Sequence, residues 1–230
     1  MSKIIAASFD EVLLELKTLE KRLEQSNLSQ LTTFNIAYYI VTEAVKDAAA
    51  AGYFENPLFV EEFTVQFAGY YFDAVSDMSS RSQKLPTAWA KMNDASHMNI
   101  VPKFTTLLMG ANAHINHDLP LALADFMSKS QTYYSLRDVR KVDKVLLKSG
   151  RQIIGAFDEP TKRLNTLKHR LRFLYYRPVM YMILYWRIIA WRNYRLIKRN
   201  GSAQFSHEKR STRIAGRLFK LGRIISWVVG

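Results

Sequence analysis

The 230-residue chain is 48% hydrophobic, carries no cysteine and has a net charge of +13. That apolar content suffices for a real core and excludes disorder throughout, while the missing cysteine excludes disulfides, thiolate metal sites and a cysteine nucleophile. The charge is uneven: residues 1–130 hold 10 Lys+Arg against 15 Asp+Glu, and residues 131–230 hold 23 against 5. An acidic body thus precedes a strongly basic C-terminal part, which points to an anionic partner such as a membrane surface or nucleic acid, or to a solvated basic face.

The missing cysteine favours a cytoplasmic setting, and the short apolar run at the N-terminus meets Asp10 and Glu11 too soon for a secretory signal. Glycine and proline are few and apolar residues recur at three and four, which predicts an all-α bundle of about seven or eight helices. The first helix spans Asp10–Gln25, with Leu13, Leu16, Leu19 and Leu23 on one side. Leu31–Ala51 follows and closes at Gly52; Pro57 opens a third helix through about Val75, and Ser76–Lys84 is expected as a loop. A short helix begins at Pro86–Trp89. Pro102 then sits in the first turn of a long helix that Leu119–Pro120 should interrupt, with Asp118 as the N-cap of a new helix over Leu119–Met127.

Further helices are predicted at Ser135–Phe157 and Pro160–Lys198, the second with a fresh start at Pro178 as an alternative. Phe173–Trp191 approaches the length of a membrane span, but Arg177, Pro178 and Arg187 make it a core helix instead. Asn200–Ser202 reads as a linker, dividing residues 1–199 from a basic amphipathic helix at Ser211–Val229.

The most informative stretch is Gly110–Pro120, which carries His114, His117, Asn112, Asn116 and Asp118 into an apolar helix. Burying such groups costs several kcal/mol unless each is hydrogen-bonded or ligates a metal. His114 and Asp118 are four apart and share a helix face, so they can act as two ligands or as an acid/base pair. A neutral imidazole and a carboxylate suit Zn, Fe or Mn, with further ligands from other helices. Asp73 is the first candidate for that partner, Asp77 lies four residues on, and His97 is a weaker option in a loop. Asn112 and Asn116 would orient the pair or a substrate, and Arg187 would bind a carboxylate, from Asp73 or from a substrate. The alternative is a buried network in which His114 is a satisfied core histidine and Asp118 caps a helix.

Thr42, Gly52-Tyr-Phe54, Phe67 to Ala74, Pro86, Trp89, the Asn112-Ala-His114-Ile-Asn116-x-Asp118-Leu core and Arg187-x-x-Ala190-Trp191 together resemble an uncharacterised bacterial family, a domain of unknown function. The resemblance covers roughly residues 30–195, leaves the basic tail outside and implies no established activity. The family pattern favours an aromatic at His117, which implies a peripheral role for that histidine. As a fragment, His-x-x-x-Asp on an inner helix is also similar to the helical zinc-dependent phospholipases C and P1-type nucleases, but this chain lacks the further histidines and N-terminal tryptophan of their trinuclear centre.

In the tail, Arg213, Arg217, Lys220 and Arg223 form one stripe, and Ile214, Leu218, Leu221, Ile225 and Val228 another, with Trp227 near the end. This pattern fits an interfacial helix on an anionic membrane, or a helix docked on the protein's own core; nucleic acid is disfavoured because the arginines are backed by apolar rather than base-reading residues. Arg163, Lys168, Arg170 and Arg172 extend the basic character upstream. The function expected from these features is a small helical, metal-dependent enzyme at the inner face of a membrane, acting on a lipid-like or amphipathic substrate. The alternative is a non-enzymatic, membrane-associated binding or scaffold protein with a buried His/Asn/Asp network.

Overall fold

The computed structural model describes residues 6–80, 82, 84–98, 102–129, 135–156, 165–199 and 203–229; at 96–98, 103, 136, 154, 165–176, 203–207 and 222–229 it describes the backbone alone. The described residues are all-helical, with no strand. Helix α1 (Phe9–Glu24) starts at Ser8, whose hydroxyl accepts from the Glu11 amide at 3.3 Å, while the Glu11 carboxylate reaches back to the Ala7 amide at 2.7 Å. This reciprocal satisfaction of free amides is a capping box shifted by one residue. Its apolar face, Val12, Leu16, Leu19 and Leu23, is buried.

Helix α2 (Thr32–Ala50) ends where Gly52 takes φ +69°, letting the Tyr53 amide bond to Ala48 O at 2.9 Å and the Gly52 amide to Ala49 O at 3.0 Å. The left-handed turn costs glycine nothing, and the paired bonds satisfy the last carbonyls. Helix α3 (Pro57–Ser79) has Asn56 as its N-cap, accepting from the Phe59 amide at 3.1 Å. It runs four residues beyond Val75, into the expected loop. Ser79 and Ser80 there turn their hydroxyls onto Val75 O and Ser76 O, both at 2.9 Å, so polar residues that suggest a loop are satisfied on the helix itself.

Helix α4 (Thr87–Met98) buries Ala88, Trp89, Met92 and Ala95; His97 lies on this helix, not in a loop. Next, α5 (Lys103–Asn112), a π-helical turn (Ala113–Asp118) and α6 (Leu119–Lys129) follow without a gap. The expected break at Pro120 is therefore absent, and Asp118 caps nothing. The Leu119 amide bonds to His114 O, five residues back, and the widened turn makes room for a proline ring that would otherwise press on the carbonyl four residues before it.

Helices α7 (Leu136–Ala156), α8 (Asn165–Arg199) and α9 (Ala203–Val229) complete the bundle, so the described chain forms eight rods, α5 to α6 counting as one. Helix α8 is continuous through Pro178, with no fresh start, and α9 begins eight residues before Ser211. The proposed linker at 200–202 lies outside the described residues.

One core joins the N-terminal helices to the C-terminal ones. Leu16, Leu31, Phe34, Tyr71, Trp89 and Met109 form its centre, with Trp186 of α8 and Ile214, Leu218 and Phe219 of α9 packed on it. A second cluster, including Val45, Phe59, Phe126 and Val145, lies where α2, α3, α6 and α7 meet. No described helix is long and apolar enough to cross a membrane.

Candidate functional site

The π-turn places Asp118 in the interior, 2% exposed. Trp89 Nε1 donates to its Oδ1 and Oδ2 at 3.2 and 3.0 Å, His114 Nδ1 lies 3.1 Å from Oδ2, and His117 Nδ1 lies 2.8 Å from Oδ1. Burial pulls the Asp118 carboxyl upward, but the bonds from His114 and His117 outweigh it and hold the group below its ordinary range. An ionised carboxylate only accepts, so both histidines carry their proton on Nδ1. Burial likewise pulls the His114 imidazole below its ordinary value, against the opposing pull of Asp118, and it stays neutral.

With Nδ1 donating, the lone pair of His114 is on Nε2. That atom is buried and has no hydrogen-bond partner. The ring lies in an aromatic box: Phe67 stacks on it with centroids 3.7 Å apart, and Tyr38 meets it edge-on at 4.7 Å. Phe34 and Tyr71 close the box at 5.8 and 6.0 Å.

The asparagines form a separate ladder. Asn116 Nδ2 donates to Asn112 Oδ1 at 3.1 Å, and Asn112 Nδ2 donates to Ser211 O of α9 at 3.0 Å. They tie the π-turn to the last helix; the expected contact with the His114–Asp118 pair is not among their bonds. His117, expected at the periphery, is a full donor to Asp118.

Asp73 is exposed on α3 and does not bond to Asp118, whose cross-helix partner is Trp89. Arg187 is half-buried on α8 and its Nε pairs with Asp143 of α7, not with Asp73. Trp89 was legible only as part of the family pattern; a lone indole among polar residues on a short helix was the signal for a buried donor.

A metal shared by His114 and Asp118 does not fit this arrangement. The two side chains face each other across an N–H···O contact, and three N–H groups already occupy the carboxylate. Among the described residues, no group of three His, Asp or Glu is disposed to hold an ion.

Beside the box is a cavity of about 90 Å³ between α2, α3, α7 and α8. Phe67 and Tyr38 form both a wall of this cavity and the cover of His114. Phe59, Phe63 and Val142 make it largely apolar; Tyr38 and Thr42 also line it, and their hydroxyls are buried without a hydrogen-bond partner. Burial, and then the charge on Asp118, push the Tyr38 hydroxyl far above its ordinary range, so it is a neutral donor.

Comparison with known families matches residues 9–226 to a family of unknown function, DUF5995. The chain belongs to DUF5995. The DUF5995 match reaches beyond residues 30–195 to take in α1 and most of α9, in keeping with the packing of α9 on the common core. No curated protein matches the chain, and no solved structure does.

Proposed function

We propose that this DUF5995 protein binds a small, mostly apolar, uncharged molecule in the cavity between α2, α3, α7 and α8, with the His114–Asp118–His117–Trp89 cluster as the buried network that shapes its inner wall. The observation that carries this reading is that two residues lining a mostly apolar cavity, Tyr38 and Thr42, each have a buried hydroxyl without a partner. A buried hydroxyl without a partner costs about 1–3 kcal/mol, a cost that a ligand hydroxyl or carbonyl removes. The ligand is uncharged because the charges nearby are already matched: Arg187 pairs with Asp143, and Asp118 is held by three N–H groups.

Two substitutions test this. Val142→Phe fills the cavity and should abolish binding of a neutral naphthylamine dye while leaving the fold intact by circular dichroism. Thr42→Val removes one hydroxyl at constant shape and should weaken binding of a hydroxyl-bearing ligand about tenfold, the worth of one hydrogen bond. Dye binding unaffected by Val142→Phe would exclude the cavity as the site.

The unpartnered Nε2 of His114 supports a second reading: an enzyme in which Asp118 orients His114 as a general base towards a molecule in the cavity. Phe67 and Tyr38 stand between them, so this chemistry requires those rings to give way. Carbethoxylation of native protein separates the two readings. Ready modification of His114 that a cavity ligand blocks supports the base; modification only after unfolding supports the structural network.

A further inference from the structure

The outer face of α8 carries an ordered surface that neither the core nor the cavity uses. Tyr181, Tyr185, Ile188 and Leu196 are exposed by 61, 56, 63 and 43%. Their spacings of four, three and eight place them along one side of the helix, within about 80° of arc at 100° per residue. Arg177, Arg192, Arg195 and Arg199 are exposed on the same side, one before the apolar residues, two between Ile188 and Leu196 and one beyond Leu196. No Asp or Glu occurs anywhere in Asn165–Arg199.

Large exposed side chains scattered singly need no explanation, but an apolar stripe interleaved with and bounded by one sign of charge does. The opposite side of α8 is already committed: Trp186, Ile189, Ala190 and Tyr194 are buried in the bundle.

The expected membrane-facing helix, α9, offers less. Its Ile214, Leu218 and Phe219 are turned onto the core, leaving exposed Arg213, Arg217 and Lys220 with Leu221 as the one exposed large apolar neighbour among the described side chains. Ile225, Trp227 and Val228, and the upstream cations at 163–172, lie outside the described side chains. Of the two basic helices, α8 combines cations with a described apolar face.

We infer that the outer face of α8 is a docking surface for an anionic lipid bilayer, lying along the interface with its tyrosines at headgroup level, Ile188 and Leu196 among the upper acyl carbons and its arginines on lipid phosphates. The charge complementarity is direct, since an acid-free cationic stripe meets a negative surface. The aliphatic members decide between a bilayer and single-stranded nucleic acid. Tyrosine and arginine serve both, but Ile188 and Leu196 have no π-face for a base and gain from acyl chains. Helix α8 would thus face the cavity with one side, through Arg187 and Trp191, and lipid with another.

Sedimentation of the full chain with vesicles tests this. Binding is expected to vesicles containing phosphatidylglycerol, to be weak with phosphatidylcholine alone, and to fall as salt is raised. Tyr181→Ser/Ile188→Ser, at exposed positions, should reduce binding at least tenfold at unchanged Tm, and Arg192→Ala/Arg195→Ala should remove the preference for the anionic lipid. Arg213→Ala/Arg217→Ala on α9 should have the smaller effect. No binding to anionic vesicles overturns the proposal, as does binding that the α8 variants leave intact, or a greater affinity for single-stranded oligonucleotides lost in the same variants.

Discussion

Asp118 shows how far a side chain's role depends on what surrounds it. On the sequence it is one end of a His-x-x-x-Asp pair, free to ligate, to catalyse or to cap. In the fold it takes hydrogen bonds from an indole and two imidazoles and stays ionised at 2% exposure. That arrangement has a pH signature. The His114 pKa is depressed by burial below 6.5, so the unfolded state binds a proton there that the folded state refuses, and this part of the stability is full above pH 6.5 and declines below it. The Asp118 pKa is held below 3.8, so its share is present above that value and lost as pH falls through the folded pKa. Urea unfolding across pH 7 to 3 should show stability falling with acid throughout, by at most about 1.4 kcal/mol per pH unit for one proton. His114→Gln should remove the part of the slope that begins just below pH 6.5; an unchanged slope would mean that this histidine takes up its proton in the folded state.

At the scale of elements, the close contact of α2 and α5 rests on one missing side chain. A Cβ on Gly110 would lie 2.6 Å from Phe34 Cγ and 2.9 Å from Phe34 Cβ, closer than carbon atoms approach without contact strain. Gly110→Ala should therefore force Phe34 aside and destabilise by about 1–3 kcal/mol, despite the better helix propensity of alanine. Thermal unfolding reads this as a Tm fall of roughly 2–12 °C for a chain of this size. A Tm that rises would mean that propensity outweighs the clash. The helix positions were legible because an apolar face recurs at three and four; α1, α2 and α6 begin within a residue of expectation. The junction at Pro120 was not. Proline forbids an ordinary helical bond, but a turn closed five residues back needs nothing from it, and periodicity does not distinguish a broken helix from a widened one.

At the scale of the molecule, α9 packs on the common core. The Asn112 to Ser211 bond and the packing of Ile214, Leu218 and Phe219 make α9 a wall of the same core. Removing residues 201–230 should cost roughly 3–5 kcal/mol from the buried apolar side chains alone, with more from the orphaned Asn112 amide. Circular dichroism melting of a chain ended at residue 200 should show a Tm lower by about 10 °C or more, or no cooperative transition. An unchanged melt would mean that α9 is a separate unit, as the linker-like Asn200–Ser202 suggested. That division followed from local composition, which records where a chain bends but not what the next helix rests against.

The sequence by itself determined the helical class, most helix positions, the concentration of positive charge after residue 130 and the stretch in which polar groups enter the core. These follow from periodicity, composition and charge, which are properties of neighbours along the chain. Only the tertiary structure decided that Trp89 and His117 complete the hold on Asp118, that Arg187 pairs with Asp143 and not with Asp73, and that Asn112 binds α9. It also brought Tyr38 and Thr42, whose hydroxyls are buried without a partner, to the lining of one cavity. Each of these is a meeting of residues distant in sequence, which depends on how whole helices cross.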